Sequence, residues 1–125
     1  MHTILVVDDE EGVRMVVSRM LKRLGIKPLT CATGAEAVDI FGRQPDEIDC
    51  VIVDLTMAKM DGVATFSALR AIRADARVVL ATGLDEEEAA KRVAGLDFAA
   101  FIKKPFTLAV LEYTLNEMLR GHPAS

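Results

Sequence analysis

Near the start of the chain, the apolar run Ile4-Leu5-Val6-Val7 passes directly into four acids: Asp8, Asp9, Glu10 and Glu11. A second apolar run, Cys50-Val51-Ile52-Val53, ends in Asp54. Val78-Val79-Leu80-Ala81 is followed by Thr82-Gly83, and Ala99-Ala100-Phe101-Ile102 by Lys103-Lys104-Pro105. Taken singly, each has an ordinary use. Asp9 suits a helix cap, Asp54 a turn, Thr82 a cap for a helix opening near Asp85, and Lys104 a solvated charge beside a turn proline. Taken together they suggest a site. Crowded like charges repel, so Asp8, Asp9 and Asp54 brought to one place call for a cation. Oxygen ligands completed by water suit Mg²⁺. Such an ion would let an anionic phosphoryl group approach Asp54, which then acts as nucleophile and becomes an acyl phosphate. In-line positioning and neutralised equatorial oxygens are what this transfer needs most. Mg²⁺ would cover one oxygen, the Lys104 ammonium another, and the Thr82 hydroxyl with nearby backbone N–H groups the third.

These residues meet only if a scaffold brings them together. Five short apolar runs alternate with five helical patterns; the remaining run is Pro28-Leu29-Thr30-Cys31. Nearly unbroken, β-branched runs read as strands covered on both faces of a parallel sheet. The Pro28 run has polar neighbours and suits an edge. Val13, Val16, Val17, Met20, Leu21 and Leu24 form the apolar stripe of a first helix, with Gly25 as its stop. Thr33 and Glu36 read as a capping box opening a second helix through Phe41. Val63, Phe66, Leu69 and Ile72 mark a third, and four acids from Asp85 to Glu88 suit the start of an Ala-rich fourth. Leu108, Leu111, Leu115, Met118 and Leu119 stripe a fifth. Repeated strand–helix alternation predicts an α/β fold: a doubly wound, five-stranded parallel sheet with right-handed crossovers. Its ligand site lies beyond the C-terminal strand ends, where the strand order switches. The acids, the hydroxyl and the ammonium all fall there.

The bulk properties narrow the class. A chain of 125 residues with 51% hydrophobic residues fits one core, expected here as a domain over 1–120 with 121–125 as a tail. Net charge is −4, without a Lys/Arg-rich run, which argues against direct nucleic-acid contact. Cys31 and Cys50 lack CxxC spacing and read as buried free thiols of a reducing, cytoplasmic compartment. Neither a signal peptide nor a membrane span is expected.

With these pieces in order, the chain resembles the receiver domain of two-component response regulators from Ile4 to about Leu119. The resemblance rests on Ile4–Glu10, Val53–Gly62, Ala81-Thr82-Gly83 and Phe101–Phe106. It implies a flavodoxin-like strand order, 2-1-3-4-5, and a phosphoacceptor role for Asp54. Asp9 and Asp54 would be direct Mg²⁺ ligands, the Thr56 carbonyl a third, with Asp8 acting mainly through water. Thr82 and Phe101 match the switch hydroxyl and switch aromatic, and Lys104 precedes an expected cis peptide bond to Pro105. The sequence departs from the family at Ala58, where a proline is usual; no chemical group is lost. Leu84 and Thr56 match positions that tune acyl-phosphate lifetime. The segment Thr82–Phe106, with its run Gly95–Phe101, is similar to receivers fused to hybrid sensor histidine kinases. The expected partners are a sensor histidine kinase or histidine phosphotransfer protein, docking near the Val13–Leu24 helix, and a downstream protein or fused domain. A dimer formed on phosphorylation through the fourth-helix face stays open, as does the choice between a free regulator and a piece of a larger protein. Two rivals are a degenerate receiver acting by protein contact alone and a small aspartyl-phosphate phosphohydrolase. The second would need its nucleophile after the first strand with a second acid two residues on; position 10 is Glu, and no cap domain is expected.

Overall fold

The computed structural model describes residues 2–55, 61–98 and 100–120. Five strands alternate with five helices: β1 (Thr3–Val7), α1 (Glu11–Arg23), β2 (Lys27–Cys31), α2 (Gly34–Arg43), β3 (Cys50–Asp54), α3 (Gly62–Ile72), β4 (Val78–Thr82), α4 (Glu86–Arg92), β5 (Ala100–Lys103) and α5 (Leu108–Arg120). The strands form one parallel sheet in the order β2-β1-β3-β4-β5, as expected. β3 and β4 are buried along their whole length. β2 is one of the two edge strands, where Pro28, which has no N–H to donate, is tolerated.

Strand side chains alternate between faces, and this alternation builds two cores. Leu5, Val7, Val51, Val53, Val78 and Leu80 pack with Ala37 and Phe41 of α2, Phe66 and Leu69 of α3 and Ala89 of α4. Ile4, Val6, Cys50, Ile52, Val79, Ala81 and Ile102 pack with Val17 and Leu21 of α1 and Leu111 and Leu115 of α5. The sheet therefore carries α1 and α5 on one face and α2, α3 and α4 on the other.

The helix signals hold with informative exceptions. Gly25 ends α1 with φ +77, a conformation glycine adopts without strain. The Thr33 hydroxyl accepts from the Glu36 N–H (3.1 Å), while the Glu36 carboxylate reaches the Ala32 N–H (3.1 Å), one residue before the usual return of a capping box. Asp85, not Thr82, caps α4 by accepting from the Glu88 N–H at 2.8 Å. Val16, expected in the buried stripe of α1, is half exposed at 50%, and Ile72 of α3 is exposed at 39%. An apolar stripe wider than the contact strip leaves its margins in solvent. Arg70 of α3 ties two loops, donating to the Ala76 carbonyl (2.7 Å) and the Asp97 carbonyl (2.6 Å) with its guanidinium over the Phe66 ring. The expected tail 121–125, Ala99, and the Thr56–Met60 stretch, including Thr56 and Ala58, lie outside the described residues.

Candidate functional site

Register sets the site. β1 and β3 are neighbours paired Val7↔Val53, so the next residues, Asp8 and Asp54, emerge side by side. Both lie on the α1/α5 face by strand alternation, and both are buried at 3% exposure. β4 pairs with β3 through Asp54↔Ala81 and with β5 through Thr82↔Lys103, which places Thr82 and Lys104 at the same edge. The Lys104 N–H donates to the Thr82 carbonyl at 2.7 Å, fastening the two strand ends. The Lys104–Pro105 peptide bond is cis, as the resemblance implied.

The Lys104 ammonium bridges the acids. Nζ lies 3.0 Å from Asp8 Oδ2 and 3.4 Å from Asp54 Oδ2. Burial alone would push the Lys104 pKa down. The Asp8 hydrogen bond and the charges of Asp54 and Asp8 outweigh it and raise the pKa above the ordinary lysine value. Lys104 is therefore a fixed cation at neutral pH.

Asp8 is held at every polar atom. Its N–H donates to the Cys31 carbonyl (3.2 Å), and its carbonyl accepts from Arg14 Nη1 (2.8 Å). Oδ1 accepts from the Glu10 N–H (2.9 Å) and Oδ2 from Lys104. Asp9 and Glu10 follow at the exposed mouth, and one carboxylate oxygen from each of Asp8, Asp9 and Glu10 can lie within 4.8 Å of the others. Such a set of oxygens at an open rim suits a hard, partly hydrated divalent cation. Sequence reasoning had not included Glu10 or Arg14 in the site; Glu10 sits in the run of acids, but nothing in the sequence marks Arg14. Asp9 does not cap α1, whose N-cap is Glu10 without a side-chain cap bond; that ordinary use of Asp9 is set aside.

Thr82 and Phe101 point to the other face of the sheet. Thr82 is fully buried, and its Oγ1 accepts from the Leu84 N–H at 3.1 Å. Phe101, half-buried, packs on the α2/α3/α4 core with its ring 6.5 Å from that of Phe98 at an interplanar angle of 57°. The structure thus brings Asp8, Asp54 and Lys104 into direct contact and sets Asp9 beside Asp8. Thr82 and Phe101 lie at the adjoining strand ends, across the sheet.

Comparison with known proteins shows the family and the fold. Residues 4–116 match the family described as response regulator receiver domain. The sensor kinase CckA of Brucella abortus is 34% identical over 117 residues, covering 94% of this chain and 12% of that protein. The chain spans about half the length or less of the curated relatives it matches. A receiver domain protein of Clostridium thermocellum superposes with a TM-score of 0.89 at 26% identity, covering 96% of this chain and 95% of that one. CheY in the CheX–CheY–BeF₃–Mg²⁺ complex of Borrelia burgdorferi has a TM-score of 0.86 at 28% identity, covering 93% of this chain and 87% of that one. The family match over residues 4–116 and the shared fold make this chain a member of the response regulator receiver family, the phosphoacceptor modules of two-component signalling.

Proposed function

We propose that Asp54 is the phosphoacceptor, in a Mg²⁺-dependent reaction with a phosphohistidine donor. The observation that carries this is the Lys104 ammonium lying within 3.4 Å of carboxylate oxygens from both Asp8 and Asp54. Asp9 and Asp54, with the Thr56 carbonyl, would hold the ion, Asp8 acting through water. Such an ion, when bound, would supply positive charge to offset the carboxylates and the incoming phosphoryl group.

The chain's own residues do the rest. An Asp54 carboxylate oxygen attacks phosphorus; the O–P bond forms as the P–N bond to the donor imidazole breaks. Lys104 is placed to follow the phosphoryl group, giving up part of its contact with Asp54 for a phosphoryl oxygen. Thr82 Oγ1 supplies a further hydrogen bond once it releases the Leu84 N–H. Moving Thr82 vacates space, and Phe101 turns inward, changing the α4–β5–α5 surface for a downstream protein or fused domain. Water later hydrolyses the acyl phosphate. Leu84 and Thr56 set the pace of that step.

For the donor we assign the groove beside the site. It holds about 510 Å³ and is bordered by Val13, Val16, Met20, Pro105 and Phe106, with Lys104 and Glu10 at its rim. The exposure of Val16 fits a docking face for a sensor histidine kinase or phosphotransfer protein. No described helix is long and apolar enough to cross a membrane, and we place the domain in the cytoplasm, acting on protein partners rather than on membrane or nucleic acid. Dimer formation through the α4 face would accompany the switched state.

The test is labelling with acetyl phosphate. Wild-type protein should take up one hydroxylamine-labile phosphoryl group in Mg²⁺ and none in EDTA, and Asp54→Asn should take up none. Full labelling of Asp54→Asn, or labelling indifferent to EDTA, would overturn the assignment.

A further inference from the structure

We propose that Arg14 is a positioning residue for the acidic pocket, acting through the backbone of Asp8. This inference rests on the site reading above. Arg14 sits one turn into α1, and its Nη1 donates to the Asp8 carbonyl at 2.8 Å, across the end of β1. The same turn of α1 is tied by the Arg14 N–H to the Glu10 carbonyl (3.1 Å). The Asp8–Glu10 segment is therefore clamped between α1 on one side and the Cys31 carbonyl of β2 on the other. The Asp8 carbonyl belongs to the peptide unit that leads into Asp9. Fixing that unit fixes where the Asp9 carboxylate starts from.

Two cations serve this pocket in different ways. Lys104 touches carboxylate oxygens of Asp8 and Asp54, so it competes with anything else those oxygens bind. Arg14 holds a main-chain carbonyl and leaves the carboxylate oxygens to other partners. It brings positive charge to a turn carrying Asp8, Asp9, Glu10 and Glu11 without occupying a ligand atom. A guanidinium suits this task because it stays charged at all working pH values and holds its donors in a rigid plane.

Charge and position make opposite predictions for a divalent ion. If Arg14 acted through charge alone, its removal would lower the local positive potential and tighten Mg²⁺ binding. If it acts by position, its removal loosens the Asp8–Asp9 peptide and weakens binding, as loss of an outer support of a metal site does.

The experiment compares wild type, Arg14→Met and Arg14→Lys. Mg²⁺ affinity is read by isothermal titration, unfolding by urea titration without metal, and local opening by amide hydrogen exchange at Glu10. Arg14→Met should bind Mg²⁺ about tenfold more weakly, with faster exchange at Glu10. Arg14→Lys, which keeps a donor for the Asp8 carbonyl, should recover most of the affinity. Unchanged or tighter Mg²⁺ binding by a folded Arg14→Met would overturn the inference, whatever its urea midpoint; if that variant does not fold, binding by Arg14→Lys tighter than that of wild type would do so, because a weakened hold on the carbonyl cannot strengthen the site. If wild-type protein bound no Mg²⁺, the reading of the site itself would fall and this inference with it, a result distinct from an unaffected variant.

Discussion

At the scale of single residues, the pocket sets like charges against the Lys104 ammonium, which lies within reach of both Asp8 and Asp54. Lys104→Met removes the ammonium that lies 3.0 Å from Asp8 Oδ2 and 3.4 Å from Asp54 Oδ2, in a hollow where both acids are buried. Its unfolding free energy in EDTA should fall by about 1–3 kcal/mol, the usual cost of an abandoned buried polar partner. Millimolar Mg²⁺ should recover more stability in this variant than in wild type, since the ion inherits the role of the lost charge; paired urea titrations measure it. Much of the site was legible at this scale. Asp8, Asp54, Thr82 and Lys104 each follow an apolar run, and a parallel sheet sends every such residue to one edge. Arg14 was not legible, because its part is played by a guanidinium meeting a carbonyl across a turn, and an arginine in a helix otherwise reads as a surface charge. Nor did the sequence show that all four polar atoms of Asp8 are engaged.

Among the elements, the glycines at two helix starts make a controlled pair. A Cβ on Gly62 would lie 2.5 Å from the Leu55 Cα and 2.8 Å from the Asp54 carbonyl oxygen, both backbone atoms that cannot swing aside. Gly62→Ala should force α3 away from the end of β3, destabilise the fold by about 2 kcal/mol or more and slow phosphorylation at Asp54. Gly12 of α1 has open space around the same position, and Gly12→Ala should stabilise by about 0.5–1 kcal/mol through helix propensity alone. Urea midpoints of opposite sign for one chemical change are the check. Asp61, the N-cap of α3, accepts from the Ala64 N–H at 2.9 Å; Asp61→Ala should cost about 1 kcal/mol. The element order was readable from periodicity, since buried parallel strands and amphipathic helices leave different patterns. The exact faces were less so. Val16 continues the stripe of α1 in sequence yet faces the groove beside Pro105 and Phe106, because hydrophobic spacing marks apolar surface and not what covers it. The close approach of α3 to Asp54 at Gly62 was likewise hidden, a contact between backbones that no side-chain pattern encodes.

For the molecule as a whole, a thiol lies in each of the two cores, Cys31 with α2–α4 and Cys50 with α1 and α5. Burial pushes Cys31 up to about 11 and raises Cys50 as well. A thiol in the unfolded chain ionises near pH 8.5, so between that value and the folded one the unfolded chain gives up a proton that the folded chain keeps. Stability should therefore be level from pH 7 to about 8 and decline as pH rises beyond the ordinary thiol range; Cys31→Ala should flatten that decline in urea titrations. If both layers open together, the two thiols should react with an aromatic disulfide reagent at one common rate that rises with urea. The sheet between those layers has a further consequence. Asp8, Asp54 and Lys104 open toward α1 and α5, whereas Thr82 and Phe101 project toward α2–α4. The sheet is a partition with traffic through one end only: cargo arrives in one room, and the furniture shifts in the other. A protein delivering at α1 and a protein reading near α4 then need not evict each other, and a three-body assembly becomes a geometric option for this chain.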